Sequence, residues 1–203
     1  MTLLLNLISL FLLVLLPQKE DSRAAKPEAR HHHAMAYDEK RGNLILFSGN
    51  GDDVPFFSDS WEWNGEKWRR HSSTELEPRS SHVMVYDKSN SMTLLFGGVG
   101  QNGMTENDTW QWNGKAWKSL AVTSPSARYS PAVAFDDSRQ RVVLFGGSGK
   151  GDDVLWEWDG KVWHQATTSD QSPIPRARAG MAFDHKRSKI ILFGGFAKGN
   201  SMG

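Results

Sequence analysis

The stretch TLLFGGVGQNGMTENDTWQWNGKAW, residues 93–117, decides the fold. An apolar segment ends in a glycine pair, and a segment with alternating tryptophans follows it around a turn. Copies of the first part occur as LILFSG at 44–49, VVLFGG at 142–147 and IILFGG at 190–195. Their phenylalanines fall at positions 47, 96, 145 and 193, a period near 49 residues. Such a period indicates a propeller, a solenoid or an array of repeats.

Two further markers recur with the same period. A segment such as SHVMVYD precedes each apolar segment, and an arginine introduces it: Arg30, Arg79, Arg128 and Arg178. Tryptophan octapeptides follow at 61–68, 110–117 and 156–163, and they contain all nine tryptophans of the chain. Alternating side chains and turn residues in each unit predict four β-strands. The strands favour a propeller.

The tryptophan octapeptides predict hairpins. Asn-Gly or Asp-Gly at their centres is typical of a two-residue type I′ turn. Counting outward from that turn, tryptophans at the two ends of each octapeptide face each other. The predicted pairs are Trp61 with Trp68, Trp110 with Trp117, and Trp156 with Trp163.

The first 24 residues differ from the repeats. Residues 3–16, LLLNLISLFLLVLL, form an apolar run that is short for a membrane span of about 20 residues. The run is typical of a signal peptide, with cleavage expected before Ala25. The alternatives are an uncleaved membrane anchor, which would be the chain's one membrane contact, and a buried first helix. We expect residues 1–24 to direct export, so that the protein is secreted, periplasmic or on the cell surface.

These motifs give the chain a family resemblance. Residues 30–203 resemble a kelch-repeat β-propeller of the galactose-oxidase-central-domain type, common in secreted bacterial proteins. The first unit departs from the pattern, because Ser48 replaces the first glycine of the pair. The resemblance implies that the arginine-led strand is innermost, the FGG strand second and the tryptophan hairpin outermost. The glycine pairs that carry it are Gly97 and Gly98, Gly146 and Gly147, and Gly194 and Gly195.

The expected fold is therefore all-β, with a leader followed by a propeller domain at residues 25–203. Units begin near residues 30, 79, 128 and 178, and the last unit has no tryptophan hairpin, which gives about three and a half four-stranded blades. We expect a fragment of a longer propeller, since closed rings have four to eight blades. Self-association could instead complete the ring, with two copies forming seven blades; a poorly closed monomer is the third possibility.

Composition excludes several classes of function. The 24 Lys and Arg residues balance 23 Asp and Glu residues, so no basic field exists for nucleic acid. With no cysteine, disulfides and thiolate metal sites are excluded, and so is the cysteine–tyrosine cross-link that copper oxidases resembling galactose oxidase need. We expect no cofactor.

Candidate binding residues lie at the expected mouth of the channel. The resemblance implies that rim arginines can bind acidic peptides, and guanidinium groups bind carboxylates with two hydrogen bonds. The alternative is a structural role, as an ion pair between blades or a hydrogen bond to a neighbouring loop. The candidates are Arg30, Arg79, Arg128, Arg178, His33 and His82.

Metal sites are disfavoured. Adjacent histidines in residues 31–33 point to opposite faces of a strand, so they cannot all bind one metal ion. The acidic pairs at 52–53 and 152–153 are interpreted as ordinary loop residues and not as a calcium site.

The expected function is a non-enzymatic exported scaffold that binds a protein or glycan through loops 49–59 and 98–108. One alternative is part of a larger kelch enzyme, such as a sugar-acting oxidase, lyase or epimerase. Another is a structural spacer.

Overall fold

The computed structural model describes residues 26–71, 75–149, 154–166, 172–197 and 200–201. The predicted leader, residues 1–24, lies outside them. In the described part of the chain no helix is long and apolar enough to cross a membrane. The strands are β1 Ala34–Asp38, β2 Asn43–Phe47, β3 Ser60–Trp63, β4 Trp68–His71, β5 Arg79–Ser80, β6 Val83–Asp87, β7 Met92–Phe96, β8 Val99–Gly100, β9 Thr109–Trp112, β10 Trp117–Leu120, β11 Arg128–Tyr129, β12 Ala132–Asp136, β13 Arg141–Phe145, β14 Ser148–Gly149, β15 Trp156–Trp158, β16 Trp163–Gln165, β17 Gly180–Asp184, β18 Lys189–Phe193, β19 Phe196–Ala197 and β20 Asn200–Ser201.

The strands form successive blades, as predicted. Blade 1 has the order β1-β2-β3-β4, blade 2 has β6-β7-β9-β10, and blade 3 has β12-β13-β15-β16. Blade 4 contains the pair β17-β18. All neighbouring strands in these blades are antiparallel. The strands β1, β6, β12 and β17 contact one another from blade to blade, so the arginine-led segment supplies the innermost strand.

The glycine pairs are required because the main chain of the next unit passes directly over them. Gly146 has a φ of 71°, and a Cβ built on it would lie 2.1 Å from the carbonyl oxygen of Arg176. Gly147 donates its N–H to that same carbonyl, at 2.9 Å. Any side chain at position 146 would therefore push the two blades apart.

The predicted hairpin pairing was wrong by two positions. Trp63 faces Trp68, while Trp61 faces Arg70, so the loop contains four residues and not two. The side-chain oxygen of Asn64 accepts hydrogen bonds from the N–H groups of Glu66 and Lys67, and this turn extends the loop. Blades 2 and 3 do the same, so Trp112 pairs with Trp117 and Trp158 with Trp163. Facing ring centroids lie 5.5–5.6 Å apart.

Each blade has two apolar faces that differ in composition. We call leading the face that carries the paired tryptophans, and trailing the face that carries the phenylalanine of the FGG strand. The trailing face of blade 1 packs on the leading face of blade 2, where Phe47 lies 5.6 Å from Trp117 between ring centroids. Blades 2 and 3 repeat this contact through Phe96 and Trp163, at 5.7 Å. The core therefore lies between blades and not within one.

Candidate ligand-binding rim

Three of the arginines that begin the units, Arg30, Arg79 and Arg128, have buried side chains and structural roles. Arg79 donates from Nη1 to the carbonyl of Gly97 at 3.1 Å and from Nε to the carbonyl of Glu77. Arg30 and Arg128 make the corresponding bonds to Ser48 and Gly146. Arg79 is 3% exposed and Arg128 is fully buried, so these guanidinium groups brace the glycine turn. The structure thus favours a structural role for Arg30, Arg79 and Arg128, because each guanidinium group binds the main chain at the glycine turn of its own unit.

Among the described residues, Arg30 and Arg79 also form ion pairs. Arg30 contacts both carboxylate oxygens of Asp59, and Trp61 donates its Nε1–H to the same carboxylate at 2.7 Å. Although burial alone would raise the pKa of Asp59, the hydrogen bonds from Arg30 and Trp61 hold it below the usual value. In blade 2 the carboxylate of Asp108 accepts hydrogen bonds from the Arg79 guanidinium and from the Nε1–H of Trp110 in the same way.

Blade 3 departs from this arrangement. Val154 stands where blades 1 and 2 have an aspartate, two residues before the first tryptophan. Among the described residues, the buried Nε1 of Trp156 consequently has no hydrogen-bond partner.

The fourth structural arginine is Arg176, not Arg178. Arg176 donates from Nη1 to Gly194 and from Nε to Ile174, which reproduces the other three units. The sequence contains a signal for this, because Arg176 precedes Phe193 by 17 residues, as Arg30 precedes Phe47. The prediction that the fourth unit begins at Arg178 is therefore wrong by two positions.

Arg178 belongs to a different row of residues, which we call the rim: His32, Ser81, Ser130 and Arg178. All four have φ between 52° and 59°, in the left-handed region. The N–H of Ser81 binds the carbonyl of His32 at 2.8 Å, Ser130 binds Ser81 at 2.7 Å, and Arg178 binds Ser130 at 2.9 Å. The rim is therefore a continuous chain of main-chain hydrogen bonds that crosses all four blades just before the innermost strands.

The rim leaves its side chains free to differ. Its main chain carries the joint between blades, while its side chains comprise an imidazole, two hydroxyls and a guanidinium. His32 and Arg178 are exposed, and the two serines are half-buried. Such a mixture of donors from different blades is what a binding site requires, in contrast to the invariant structural arginines.

His33 and His82 lie behind the rim in the packing between blades. His82 is 4% exposed, and its ring meets Phe47 edge-on at 5.6 Å between centroids. Burial lowers the pKa of His82 to about 3, and the Arg79 guanidinium acts in the same direction. Burial and Arg30 also lower the pKa of His33. The buried His82 is therefore not placed to receive a ligand at the rim. In the described part of the chain no three His, Asp or Glu side chains are grouped to hold a metal ion.

A pocket of about 720 Å³ opens where the rim passes from blade 3 to blade 4. Two cationic side chains, Arg176 and Arg178, line it together with the phenol of Tyr129. Ile174 and Phe196 add apolar surface, and both are more than half exposed. Within the described residues no carboxylate forms an ion pair with Arg176 or Arg178. The pocket thus offers two guanidinium groups beside an apolar wall.

The two loops predicted to make contacts flank the same side of the propeller. Loop 49–59 starts at the bridge between His31 and Asn50, next to the rim. Loop 98–108 starts with β8, which pairs with β5 immediately before Ser81. Its tip exposes Met104, which is 63% exposed. Of the acidic loop residues, 52 and 53 are exposed, and 152 and 153 lie outside the described residues.

The family to which the sequence belongs agrees with the glycine turns and the blade order of the structure. The family model described as the KLHDC2/KLHL20/DRC7 Kelch-repeats domain matches residues 16–195. The chain belongs to the kelch-repeat family. Kelch domains generally mediate protein interactions, and the kelch propeller is in general a protein-binding scaffold. No curated protein matches the sequence.

Solved structures confirm the kelch fold. The structure of YjhT matches with a TM-score of 0.66 at 18% sequence identity. The match covers 82% of this chain and 59% of the YjhT chain. The kelch chain described here therefore spans about three-fifths of the length of YjhT, and the likeness is one of fold.

Proposed function

We propose that this kelch chain is an exported, non-enzymatic scaffold that binds an acidic segment of a partner protein at the rim. The observation that supports the proposal is the pocket beside Arg178, where two guanidinium groups have no carboxylate partner among the described residues. Arginine binds carboxylates in a planar, two-point geometry, which suits glutamate, aspartate or a chain terminus.

The apolar wall narrows the class of ligand further. Ile174 and Phe196 stand beside the arginines, so the fitting segment carries an apolar side chain next to its carboxylates. A neutral glycan could use Ser148 and Tyr129 but would leave both guanidinium groups without a carboxylate. We therefore favour a protein partner over a glycan. Export rests on the apolar run at residues 3–16.

Peptide binding to the full chain tests the site. The probes are synthetic peptides that combine acidic and apolar residues, the same peptides with amides replacing the carboxylates, and neutral oligosaccharides. Arg178→Ala removes a rim guanidinium but leaves the Arg176 hydrogen bonds in place. We expect it to weaken the acidic peptides at least about tenfold, since a hydrogen bond to a charged group contributes about 1.5–3 kcal/mol.

Arg187→Ala is the matched control, because Arg187 is exposed at the opposite end of β17 and pairs with Asp184. It should leave peptide binding unchanged. Acidic peptides that bind the Arg178→Ala variant as tightly as the original chain would overturn the proposal. A preference for the oligosaccharides would do the same. Export is tested separately by the N-terminal residue of protein recovered outside the cytoplasm.

A further inference from the structure

The three consecutive histidines at residues 31–33 do not belong to a regular strand, because β1 begins at Ala34. His32 has a φ of 54°, in the left-handed region, so the alternation of faces expected of a strand does not hold there. The turn brings the rings of His31 and His32 together, with their Nδ1 atoms 2.9 Å apart. His33 does not join them, since its own Nδ1 is buried.

Main-chain hydrogen bonds fix both members of this histidine pair. The N–H of His31 binds the carbonyl of Asn50 at 2.8 Å, and the N–H of Asn50 binds the carbonyl of His31 at 2.9 Å. The carbonyl of His32 accepts the N–H of Ser81 at 2.8 Å. The first contact ties the pair to loop 49–59 and the second ties it to blade 2. The backbone that carries the two imidazoles is therefore held on both sides, and the pair is preorganised.

The distance between the two Nδ1 atoms matches that of two ligands on one metal ion. Imidazole nitrogens bind divalent metals at about 2.0–2.1 Å, so two of them lie about 2.9 Å apart at a right angle and about 3.3–3.4 Å apart at a tetrahedral angle. The observed 2.9 Å corresponds to the right angle. The ring planes are nearly perpendicular, at 87°, so the rings do not overlap. Right angles between nitrogen ligands are typical of Cu²⁺ and Ni²⁺, whereas Zn²⁺ prefers a tetrahedron.

The surroundings of the pair suit a cation. Both imidazoles are exposed, so an ion can reach them and complete its coordination with water. The neighbouring cationic group is the Arg30 guanidinium, which contacts both carboxylate oxygens of Asp59. Its charge is therefore balanced within blade 1 and opposes the binding of an ion only weakly.

We propose that His31 and His32 bind one Cu²⁺ ion through their Nδ1 atoms, with water in the remaining coordination positions. In the metal-free chain the same two atoms share one proton in an N–H···N hydrogen bond. The ion displaces this proton, which passes to Nε2 of the same ring, because a metal ligand must be deprotonated at the binding atom. The site lies in blade 1, whereas Arg178 precedes the innermost strand of blade 4, so the proposal does not depend on the proposed function.

Titration of the full chain with Cu²⁺ in a calorimeter tests the site. One ion should bind per chain, and Ni²⁺ and Zn²⁺ should bind more weakly. His31→Ala and His32→Ala each remove one ligand, and each should weaken binding at least about tenfold, because the second nitrogen binds intramolecularly once the first has bound. His164→Ala is the matched control, since His164 is exposed but its Nε2 contacts Asp159 at 2.8 Å. It should leave the affinity unchanged.

Two further measurements test the geometry. Nitrogen hyperfine splitting in the electron paramagnetic resonance spectrum of the Cu²⁺ complex should report two imidazole nitrogens in the original chain and one in either variant. In urea the unfolded chain keeps the three consecutive histidines but loses the left-handed turn, so it should bind Cu²⁺ at least about tenfold more weakly. Both substituted side chains are exposed, so the folded variants should keep the tryptophan near-ultraviolet circular dichroism of the original.

Three outcomes would overturn the proposal: a folded chain that binds no Cu²⁺, an affinity that both single substitutions leave unchanged, or an unfolded chain that binds the ion as tightly as the folded one. Peptide binding at Arg178 is measured separately and without metal, so failure here leaves the proposed function untouched.

Discussion

The guanidinium of Arg79 and the carboxylate of Asp108 form a two-point ion pair, with N–O distances of 2.5 and 2.9 Å. It links the start of one kelch unit to the segment that leads into its tryptophan hairpin. The same guanidinium holds the carbonyl of Gly97. One buried side chain therefore fixes three separate segments of a blade.

Loss of this arginine should destabilise the fold strongly. Arg79→Ala removes the donor to the Gly97 carbonyl and leaves Asp108 with the hydrogen bond from Trp110 but no cation, a loss that we expect to cost about 3 kcal/mol. Urea unfolding measures the change in free energy. The exposed Arg187→Ala should stay within about 0.5 kcal/mol of the original chain. Equal effects of the two substitutions would contradict a structural role for Arg79.

A carboxylate can be introduced in blade 3 as an acceptor for the buried Trp156 Nε1–H. Val154→Asp should place an acceptor for the buried Trp156 Nε1, as Asp59 does for Trp61. We expect a gain of about 1 kcal/mol in the free energy of unfolding, in line with the net contribution of a hydrogen bond. Val154→Leu is the control and should give no gain. A loss of stability in the aspartate variant would show that blade 3 cannot adopt the geometry of blades 1 and 2.

His82 should make the fold sensitive to acid. Its pKa is lowered to about 3 in the folded chain from an ordinary value of 6.5. Below pH 6.5 the unfolded chain binds a proton that the folded chain does not, so stability falls as the pH drops from 6.5 towards 3. The slope approaches about 1.4 kcal/mol per pH unit.

His82→Leu should remove this part of the slope, measured by urea unfolding between about pH 7 and about pH 4. His31→Leu changes an exposed histidine two residues before His33 and should retain the original slope. If the slope in the His82→Leu variant is unchanged, its source lies at other groups.

Two glycines separate the effect of close packing from that of backbone conformation. A Cβ at Gly146 would meet the Arg176 carbonyl, whereas a Cβ at Gly65 would meet nothing within 4 Å, although both have positive φ. Gly65→Ala should cost about 1–2 kcal/mol through conformation alone. Gly146→Ala should cost clearly more, because the next unit must move. The thermal midpoints of the two variants test the order, and the reverse order would refute the close approach of the blades.

Arg178 should lower the free energy of unfolding while it strengthens the binding of acidic peptides. Its φ of 59° is strained for a residue with a side chain. Arg178→Gly should therefore raise the free energy of unfolding by about 1 kcal/mol while it weakens acidic peptides. Arg178→Ala weakens the peptides without that gain. A destabilised glycine variant would mean that the arginine side chain contributes to packing at the rim.

The period of the sequence was sufficient to predict the blades and their strands, and the kelch resemblance implied that the arginine-led strand is innermost. Residues 61–68 did not reveal the hairpin register, because the side chain of Asn64 binds two main-chain N–H groups and lengthens the loop. Arg176 could have been found from its 17-residue distance to Phe193. The burial of His82 and the rim could not, because both depend on how neighbouring blades pack. Export and the bound partner remain predictions.

The chain of hydrogen bonds through His32, Ser81, Ser130 and Arg178 uses only main-chain atoms. Folding information therefore resides in the buried arginines, glycines and tryptophans, and the proposed function assigns recognition to side chains that this main-chain frame does not need. Each of those four residues can be substituted separately without removing a main-chain hydrogen bond of the rim. If the rim binds a partner as proposed, substitutions at these positions should change the specificity of binding without altering the fold of a blade.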